Sequence, residues 1–144
     1  MTVLGEWDDD PGGDAAVDVG SPDRLGDEDN DAPQLYYPSV DVFVRDQLAP
    51  TYRRHLDGRN RTWCPQWWRH PEGIARLEAL WRAWEHLRLD AATGISVWLR
   101  DHADHHMAVL LDPDGPFKGC SREKGHSGRM EPLPLESPPA GLFG

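Results

Sequence analysis

The chain has 144 residues, enough for one small domain, and a net charge of −10. Its first 34 residues hold eleven of the 25 acidic side chains and one of the fifteen basic ones, so residues 35–144 are electrically balanced. Two cysteines exclude a disulfide framework, and no apolar run approaches the roughly 18 residues that a membrane span requires. Because the first ten residues also lack a secretion signal, we expect a cytoplasmic protein with reduced thiols and no membrane partner.

Composition divides the chain into three parts. Residues 1–34 are rich in Asp, Gly and Pro and bury too little apolar surface to offset chain entropy, so a disordered acidic tail is predicted there. Residues 127–144 are predicted to form a second disordered tail, because four prolines lie close together near its end. The folded part is then a Trp-rich domain at residues 35–126. A domain of this size has a small core and therefore a small margin of stability.

A first helix is predicted directly after Pro38. Ser39 is a suitable N-cap, and apolar residues recur at helical spacing through residues 40–48. Pro50 lacks the backbone donor of a helix interior, so the helix stops there or restarts for another turn or two. Residues 57–62 are polar and are predicted to be a loop.

A second helix is predicted to begin at Pro71, a residue that suits the first helical position, with Glu72 favourably placed near the positive end of the helix dipole. Glu85 is assigned to the polar face, and Gly94 to the turn that ends the helix. The apolar stripe consists of Ile74, Leu77, Leu80, Trp81, Trp84 and Leu87.

A third helix is predicted over residues 97–111, with Ser96 as its N-cap and a break or a second cap at Asp104. The Pro- and Gly-containing residues 112–117 end it. A strand at residues 95–99 is the alternative, but no partner strand is evident. The sequence therefore predicts an all-α fold, a compact domain of three to four helices.

Five of the seven tryptophans lie within 30 residues of one another. Those at helical spacing are expected to fill the core, because a short domain gains its apolar volume from few, large side chains: Trp81, Trp84 and Trp98. Trp67 and Trp68 are adjacent before the second helix, so we expect one of the two indoles to be exposed.

Residues 51–70 combine five arginines with three tryptophans and one acid. Arginine interleaved with aromatic residues is typical of single-stranded nucleic acid binding, so a nucleic acid or protein partner is predicted here. The alternative is structural, with guanidinium groups packed on the rings, and the sequence pI near 5 argues against a dedicated nucleic-acid protein. The predicted binding residues are Arg53, Arg54, Arg59, Arg61, Trp63, Trp67, Trp68 and Arg69.

Histidines and cysteines cluster towards the C-terminal part of the chain. His102 and His106 are four residues apart, the separation of zinc ligands on one helix face, and His105 offers an alternative partner for His102. The two cysteines and one later histidine are further candidates, so a tetrahedral zinc site of two thiolates and two imidazoles is available, although no standard finger spacing is present. The other interpretation is that the histidines are solvated surface groups. The predicted ligands are Cys64, His102, His106, Cys120 and His126.

A catalytic role has less support. Asp101, His102 and Asp104 could act in acid–base chemistry, and Cys64 could be a reactive thiolate. No phosphate loop, oxyanion hole or cofactor fingerprint accompanies them. We therefore predict that the chain is not an enzyme, with a small hydrolytic or thiol enzyme as the alternative.

Two unusual strings carry a resemblance to a known family: Trp-Cys-Pro at residues 63–65 and Asp-Pro-Asp-Gly-Pro-Phe at residues 112–117. Together with Cys120 and His126, they resemble a family of small actinobacterial proteins classed as a domain of unknown function. The resemblance covers roughly residues 36–126. It implies an accessory role beside plasmid, phage and integrative-element genes, and hence a non-catalytic module of mobile-element DNA biology. The family favours Pro at the position of His105, which makes His105 the least suitable ligand.

Overall fold

The computed structural model describes residues 33–144. The chain divides into two units, residues 1–34 and residues 35–144, and the following description concerns the second. The predicted acidic tail falls almost entirely outside the described residues. Within residues 33–144 there are three helices and no β-strand, so the all-α prediction is confirmed with three helices. None of them has both the length and the apolar character needed to cross a bilayer.

The first helix, α1, starts directly after Ser39, as predicted. The Ser39 hydroxyl hydrogen-bonds the Asp41 carboxylate at 2.5 Å and does not cap the backbone. Residues 53–57 are not helical, so the predicted restart beyond Pro50 is wrong. The helix consists of an α-helical turn, a π-helical segment and a short α-helical end, at Val40–Phe43, Val44–Leu48 and Ala49–Thr51.

The second helix, α2, spans Pro71–Leu87 and follows a 3₁₀ turn at Trp67–Arg69. Proline occupies its first turn, as the sequence predicts. Its apolar stripe faces the interior, and α2 packs against both other helices. The side chains of Leu77, Leu80 and Trp84 are buried, and those of the remaining predicted stripe residues are half-buried.

The third helix, α3, begins at Gly94 and not after Ser96. A Cβ atom on Gly94 would clash with the carbonyl oxygen of Leu87, so the close approach of α2 and α3 at this point requires glycine. Asp104 does not interrupt the helix, because the backbone widens into a π-helical segment immediately before it and then continues. The three consecutive segments are Gly94–Val97, Trp98–Ala103 and Asp104–Leu111.

The three tryptophans of the helices contribute to the core, but they are not equally buried. Trp98 is 1% exposed and its indole N–H donates to the Leu80 carbonyl at 3.0 Å, which joins α3 to α2. Trp84 is also buried, whereas Trp81 lies at the edge of the core and donates to the Tyr37 carbonyl at 3.2 Å. The predicted core placement is confirmed, with Trp81 the least enclosed of the three.

The assignment of Glu85 to the polar face of α2 is wrong, because its side chain is buried. Its carboxylate accepts the backbone N–H of Tyr36 at 2.8 Å and that of Tyr37 at 3.2 Å, and it pairs with Arg88 at 2.9 Å. A buried carboxylate is tolerated only when its oxygens are hydrogen-bonded in this way. Glu85 therefore fixes the segment that leads into α1.

The C-terminal residues 127–139 contain no helix or strand, and a short turn follows them. Leu133 and Leu135 are almost fully exposed. Ser127 nevertheless contacts the domain, because its backbone N–H donates to the Cys120 sulfur at 3.2 Å. The disorder of residues 127–144 stays a prediction.

Candidate metal centre

Four side chains converge beyond the helices with their ligand atoms directed at one another. They are Cys64, His70, Cys120 and His126, whose sulfur and ring nitrogen atoms all lie within 4.8 Å of one another. Both cysteines and His70 are buried, and His126 is half-buried. Two thiols and two imidazoles at this separation form the donor set of a tetrahedral zinc site.

The distances within the cluster fit zinc coordination. Bonds of about 2.3 Å to sulfur and about 2.05 Å to nitrogen imply tetrahedral edges of about 3.6 Å between sulfur and nitrogen. Cys64 Sγ lies 3.5 Å from His126 Nδ1, and Cys120 Sγ lies 3.5 Å from His70 Nε2. The two imidazole nitrogens are 3.0 Å apart, slightly less than the roughly 3.4 Å that the same bonds imply.

The N-terminal pair of ligands flanks the 3₁₀ turn before α2. The backbone N–H of Gln66 donates to the Cys64 sulfur, and the His70 N–H donates to the Trp67 carbonyl at 3.1 Å. The His70 carbonyl accepts the N–H of Ile74 at 2.9 Å, so His70 is held by the first turn of α2. The start of α2 therefore positions the His70 side chain.

The C-terminal pair encloses a tight turn. An antiparallel bridge joins Ser121 and Gly125, with backbone hydrogen bonds of 3.1 and 2.8 Å. Gly125 and Gly119 have φ values of 72° and 82°, a conformation that favours glycine, and each immediately precedes a ligand. The two glycines allow Cys120 and His126 to face the same point.

Thr62 and Phe117 connect the two ligand segments. Thr62 is buried, and its hydroxyl donates to the Cys120 carbonyl at 2.7 Å. Phe117 is fully buried, with its ring centroid 4.9 Å from that of His70 and 5.0 Å from that of Trp63. The ligands are thus held in a packed frame, and a metal site on this frame would be preorganised.

The His70 ring has a second partner that fixes its orientation. It hydrogen-bonds the backbone of Pro116. Because proline has no N–H, the ring must donate to the carbonyl. Nε2 points at the other ligands, so Nδ1 is the donor and the Nε2 lone pair is available to a metal. Such a carbonyl partner is usual for zinc-binding histidines.

Burial sets the protonation of the ligands in the absence of an ion. It raises the pKa of the Cys64 thiol to about 11, and the adjacent Cys120 adds to the rise, while Gln66 and Arg69 oppose it. Burial also lowers the pKa of His70, aided by His126 and Arg69. Cys64 and His70 therefore prefer their neutral forms until a cation enters, and a bound cation would deprotonate the thiols.

Three of the predicted ligands lie in this cluster, namely Cys64, Cys120 and His126. His102 and His106 do not, and within residues 33–144 no other group of potential metal ligands is present. His106 lies on α3 with Nδ1 3.0 Å from the Arg76 guanidinium of α2. The π-helical segment of α3 contains His102 and ends before His106, so the regular helical register assumed for the pair does not hold.

His70 is not among the predicted ligands, because it stands apart in sequence from the other histidines considered, directly before the start of α2. The sequence nevertheless contains a signal for it. Cys64 and His70 are separated by five residues, and so are Cys120 and His126. Two copies of Cys-x5-His in a chain with only two cysteines identify all four residues of the cluster.

The predicted binding segment is partly surface and partly core. All five of its arginines are exposed, and Trp68 is 55% exposed. Trp67 is buried in the hydrophobic core, which corrects its assignment to the binding surface. Trp63 is half-buried against Phe117. One indole of the adjacent pair is therefore exposed, as expected.

The groups considered for catalysis do not form one cluster. Asp101 pairs with Arg100 at 2.7 Å, and the Asp104 carboxylate accepts the Tyr52 hydroxyl at 3.0 Å. The raised pKa of Cys64 is opposite to what a reactive thiolate needs. That the chain is not an enzyme stays a prediction.

Gly73→Ala is expected to disturb the site from the first turn of α2. The new Cβ would lie 2.9 Å from the Phe117 ring and 3.1 Å from the Trp67 carbonyl oxygen, so the buried ring that contacts His70 must move. We expect a net loss of about 1–2 kcal/mol, because overpacking outweighs the gain in helix propensity. Denaturant unfolding of zinc-saturated protein measures this loss. Gly128→Ala is the matched control, since its Cβ would meet no atom closer than 3.9 Å; equal stability of the two variants would contradict the packing argument.

Comparison with known proteins gives one match. The family model described as a domain of unknown function (DUF4913) matches residues 37–139. No curated protein and no solved structure matches the chain. The matched region includes all three helices and all four ligands, and it extends beyond the boundary predicted at residue 126.

Proposed function

We propose that this chain, which belongs to the DUF4913 family, is a non-catalytic interaction module whose helical domain is closed by one structural zinc ion. The observation that carries the proposal is the convergence of four buried or half-buried ligand atoms from two Cys-x5-His segments. The segments lie at residues 64–70 and 120–126, on either side of α2 and α3. An ion held by both would join the beginning of the helical core to its end.

A structural role follows from the number and burial of the ligands. Four protein ligands complete a tetrahedron and leave no position for water or substrate, whereas catalytic zinc keeps such a position. Three of the four side chains are enclosed by the domain. Zinc bound here would supply folding energy and no Lewis-acid chemistry on a substrate.

Zinc is the metal that the donor set favours. Thiolate ligands disfavour Mg²⁺ and Ca²⁺, which bind oxygen, and a tetrahedral arrangement of two sulfurs and two nitrogens is typical of zinc. The frame around the ligands supports coordination by this chain's own groups. Ser127 and Gln66 each direct a backbone N–H at a ligand sulfur, and Pro116 orients the His70 ring.

The partner of the module is proposed to be a nucleic acid or a protein that contacts its Arg/Trp-rich segment. The exposed Trp68 and the exposed arginines of residues 53–69 support this. An accessory role in the DNA biology of actinobacterial plasmids or phages is a further part of the proposal. It is supported by the resemblance of the motifs around residues 63–65 and 112–117.

Metal analysis of the purified chain tests the proposal. We expect one zinc per chain, and we expect His70→Ala to lose it, because His70 is one of the four converging side chains. His102→Ala is the matched control and should retain the ion, since His102 lies on α3 outside the cluster. A wild-type chain that binds no zinc under saturating conditions would overturn the proposal, and so would zinc loss in His102→Ala alone.

A further inference from the structure

A cavity of about 390 Å³ opens between α1 and the segment that leads to the metal centre. Its floor is formed by core side chains, including Leu48, Met107 and Leu111, and its walls include Tyr52 and Trp63. A volume of this size lies in the range of small-ligand sites, which are mostly apolar with a few polar groups at the rim. The cavity is separate from the metal ligands, none of which lines it.

The two aromatic walls are held in place by their own contacts. The Trp63 ring packs edge-to-face on Phe117, with centroids 5.0 Å apart. The Tyr52 hydroxyl donates to Asp104 at 3.0 Å, and the Arg54 guanidinium lies 4.0 Å from the centre of its ring. Arg54 covers one face of the Tyr52 ring, so Trp63 is the better stacking surface, and its contact with Phe117 means that it need not be ordered on binding.

The rim of the cavity is cationic and lacks internal neutralisation. Arg53, Arg54 and Arg122 line it, and no ion pair within residues 33–144 involves any of them. In contrast, Arg45 and Arg100 pair with adjacent carboxylates. The three guanidinium charges at the rim are therefore available to a partner, although residues 35–144 are neutral as a whole.

A second cavity of about 300 Å³ also has Trp63 and Arg122 in its lining, and it adds Arg61. Its two acids are Glu123 and Asp57. The Asp57 carboxylate accepts the backbone N–H groups of Arg59, Asn60 and Arg61, and these bonds hold its pKa well below the usual range. Asp57 is thus engaged with its own loop.

We propose that the two cavities on either side of Trp63 bind successive nucleotides of a single-stranded nucleic acid, with Arg53, Arg54 and Arg122 at the phosphates. This deepens the interaction role proposed above and rests on it. Planar bases alternate with phosphates along such a strand, and the linings of the two cavities combine aromatic rings with guanidinium groups. A duplex would bury its bases in the stack and could not enter the cavities. An acidic peptide would satisfy the charges but would leave the aromatic walls unused.

Fluorescence anisotropy with a labelled oligothymidylate of about 10 nucleotides tests the inference on the zinc-loaded full chain. We expect salt-sensitive binding, and we expect Trp63→Ala to weaken it about 5- to 100-fold, because one stacked base is lost. Since Trp63 also packs on Phe117, a second variant preserves the fold. Arg53→Gln with Arg122→Gln should reduce the salt slope by about 1.4, at roughly 0.7 per phosphate contact.

Arg82→Gln with Arg129→Gln is the charge-matched control, because both arginines are exposed and neither lines a cavity. Binding that weakens equally in the control, or wild-type binding that is absent at low salt, would overturn the inference. Polyglutamate that competes as well as the oligonucleotide would overturn it in favour of an acidic protein partner. Zinc content and melting temperature, measured on the same samples, separate the two proposals: zinc-loaded, folded protein that does not bind contradicts only the inference about nucleic acid.

Discussion

Removal of zinc is expected to abolish the cooperative unfolding transition of the domain, or to lower its midpoint by tens of degrees. Domains of this size are stable by about 5–15 kcal/mol, and structural zinc sites in small modules contribute an apparent 10–16 kcal/mol at pH 7. Without the ion, the four side chains are held together only by weak hydrogen bonds between sulfur and imidazole groups. The lost binding energy is therefore comparable to the whole stability of the fold.

Thermal unfolding followed by circular dichroism measures this effect on the zinc-loaded chain and on the chain after a strong chelator. Cys120→Ser should reproduce the chelated state even with zinc in excess, because three remaining ligands bind the ion weakly. His105→Ala is the control, since His105 is exposed on α3. A verified zinc-free protein that melted within a few degrees of the loaded one would show that the helical core is sufficient by itself.

Trp98→Ala is expected to cost about 3–5 kcal/mol, the largest loss of any substitution among the helices. The side chain is 1% exposed, it joins α3 to α2 through the Leu80 carbonyl, and its ring lies 6.3 Å from that of Phe43 on α1. The substitution therefore removes the contacts of α3 with both α1 and α2 at this point. Its cavity cannot collapse easily, because the neighbouring side chains are anchored on different elements.

Denaturant unfolding of zinc-saturated protein gives the comparison. Trp68→Ala should change stability by no more than about 0.5 kcal/mol, because 55% of Trp68 is exposed, and Trp81→Ala should fall between the two. This order follows burial, since the three substitutions delete the same side chain. A Trp98 variant as stable as the Trp68 variant would mean that the core does not depend on the indole at the centre of the helices.

Helix placement could be predicted because its signals are local. Pro71 in the first turn and apolar residues at helical spacing locate the start of α2, whereas Gly94, predicted in the turn that ends α2, is the first residue of α3. Local signals of this kind do not reveal where a helix departs from regular α-helical geometry. The π-helical segments at Val44–Leu48 and Trp98–Ala103 change the register that periodicity assumes. Hydrophobicity likewise assigns Glu85 to the surface, because its partners, the N–H groups of Tyr36 and Tyr37, are more than 45 residues away in sequence.

In the candidate metal centre, too, the local signals could be predicted and the contacts between distant residues could not. The residue types of the site could be named from the sequence, but their grouping depended on contacts between residues 64–70 and residues 120–126. A spacing rule for one helix favoured His102 and His106, whereas the structure uses His70, which α2 positions. The informative pattern was the repeat of one Cys–His spacing at two distant places. Repeated spacings of ligand residues are thus worth seeking before pairs on a single helix.

The placement of the ligands also determines what happens if the chain is cut. The connection between α2 and α3, around Leu89 to Ala92, is exposed and therefore open to a protease. Cleavage there leaves one ligand pair on each fragment, so a bound ion would hold the two pieces together as a coordination cross-link. The nicked protein should migrate as a single particle on a sizing column and separate into two peptides only when a chelator is added.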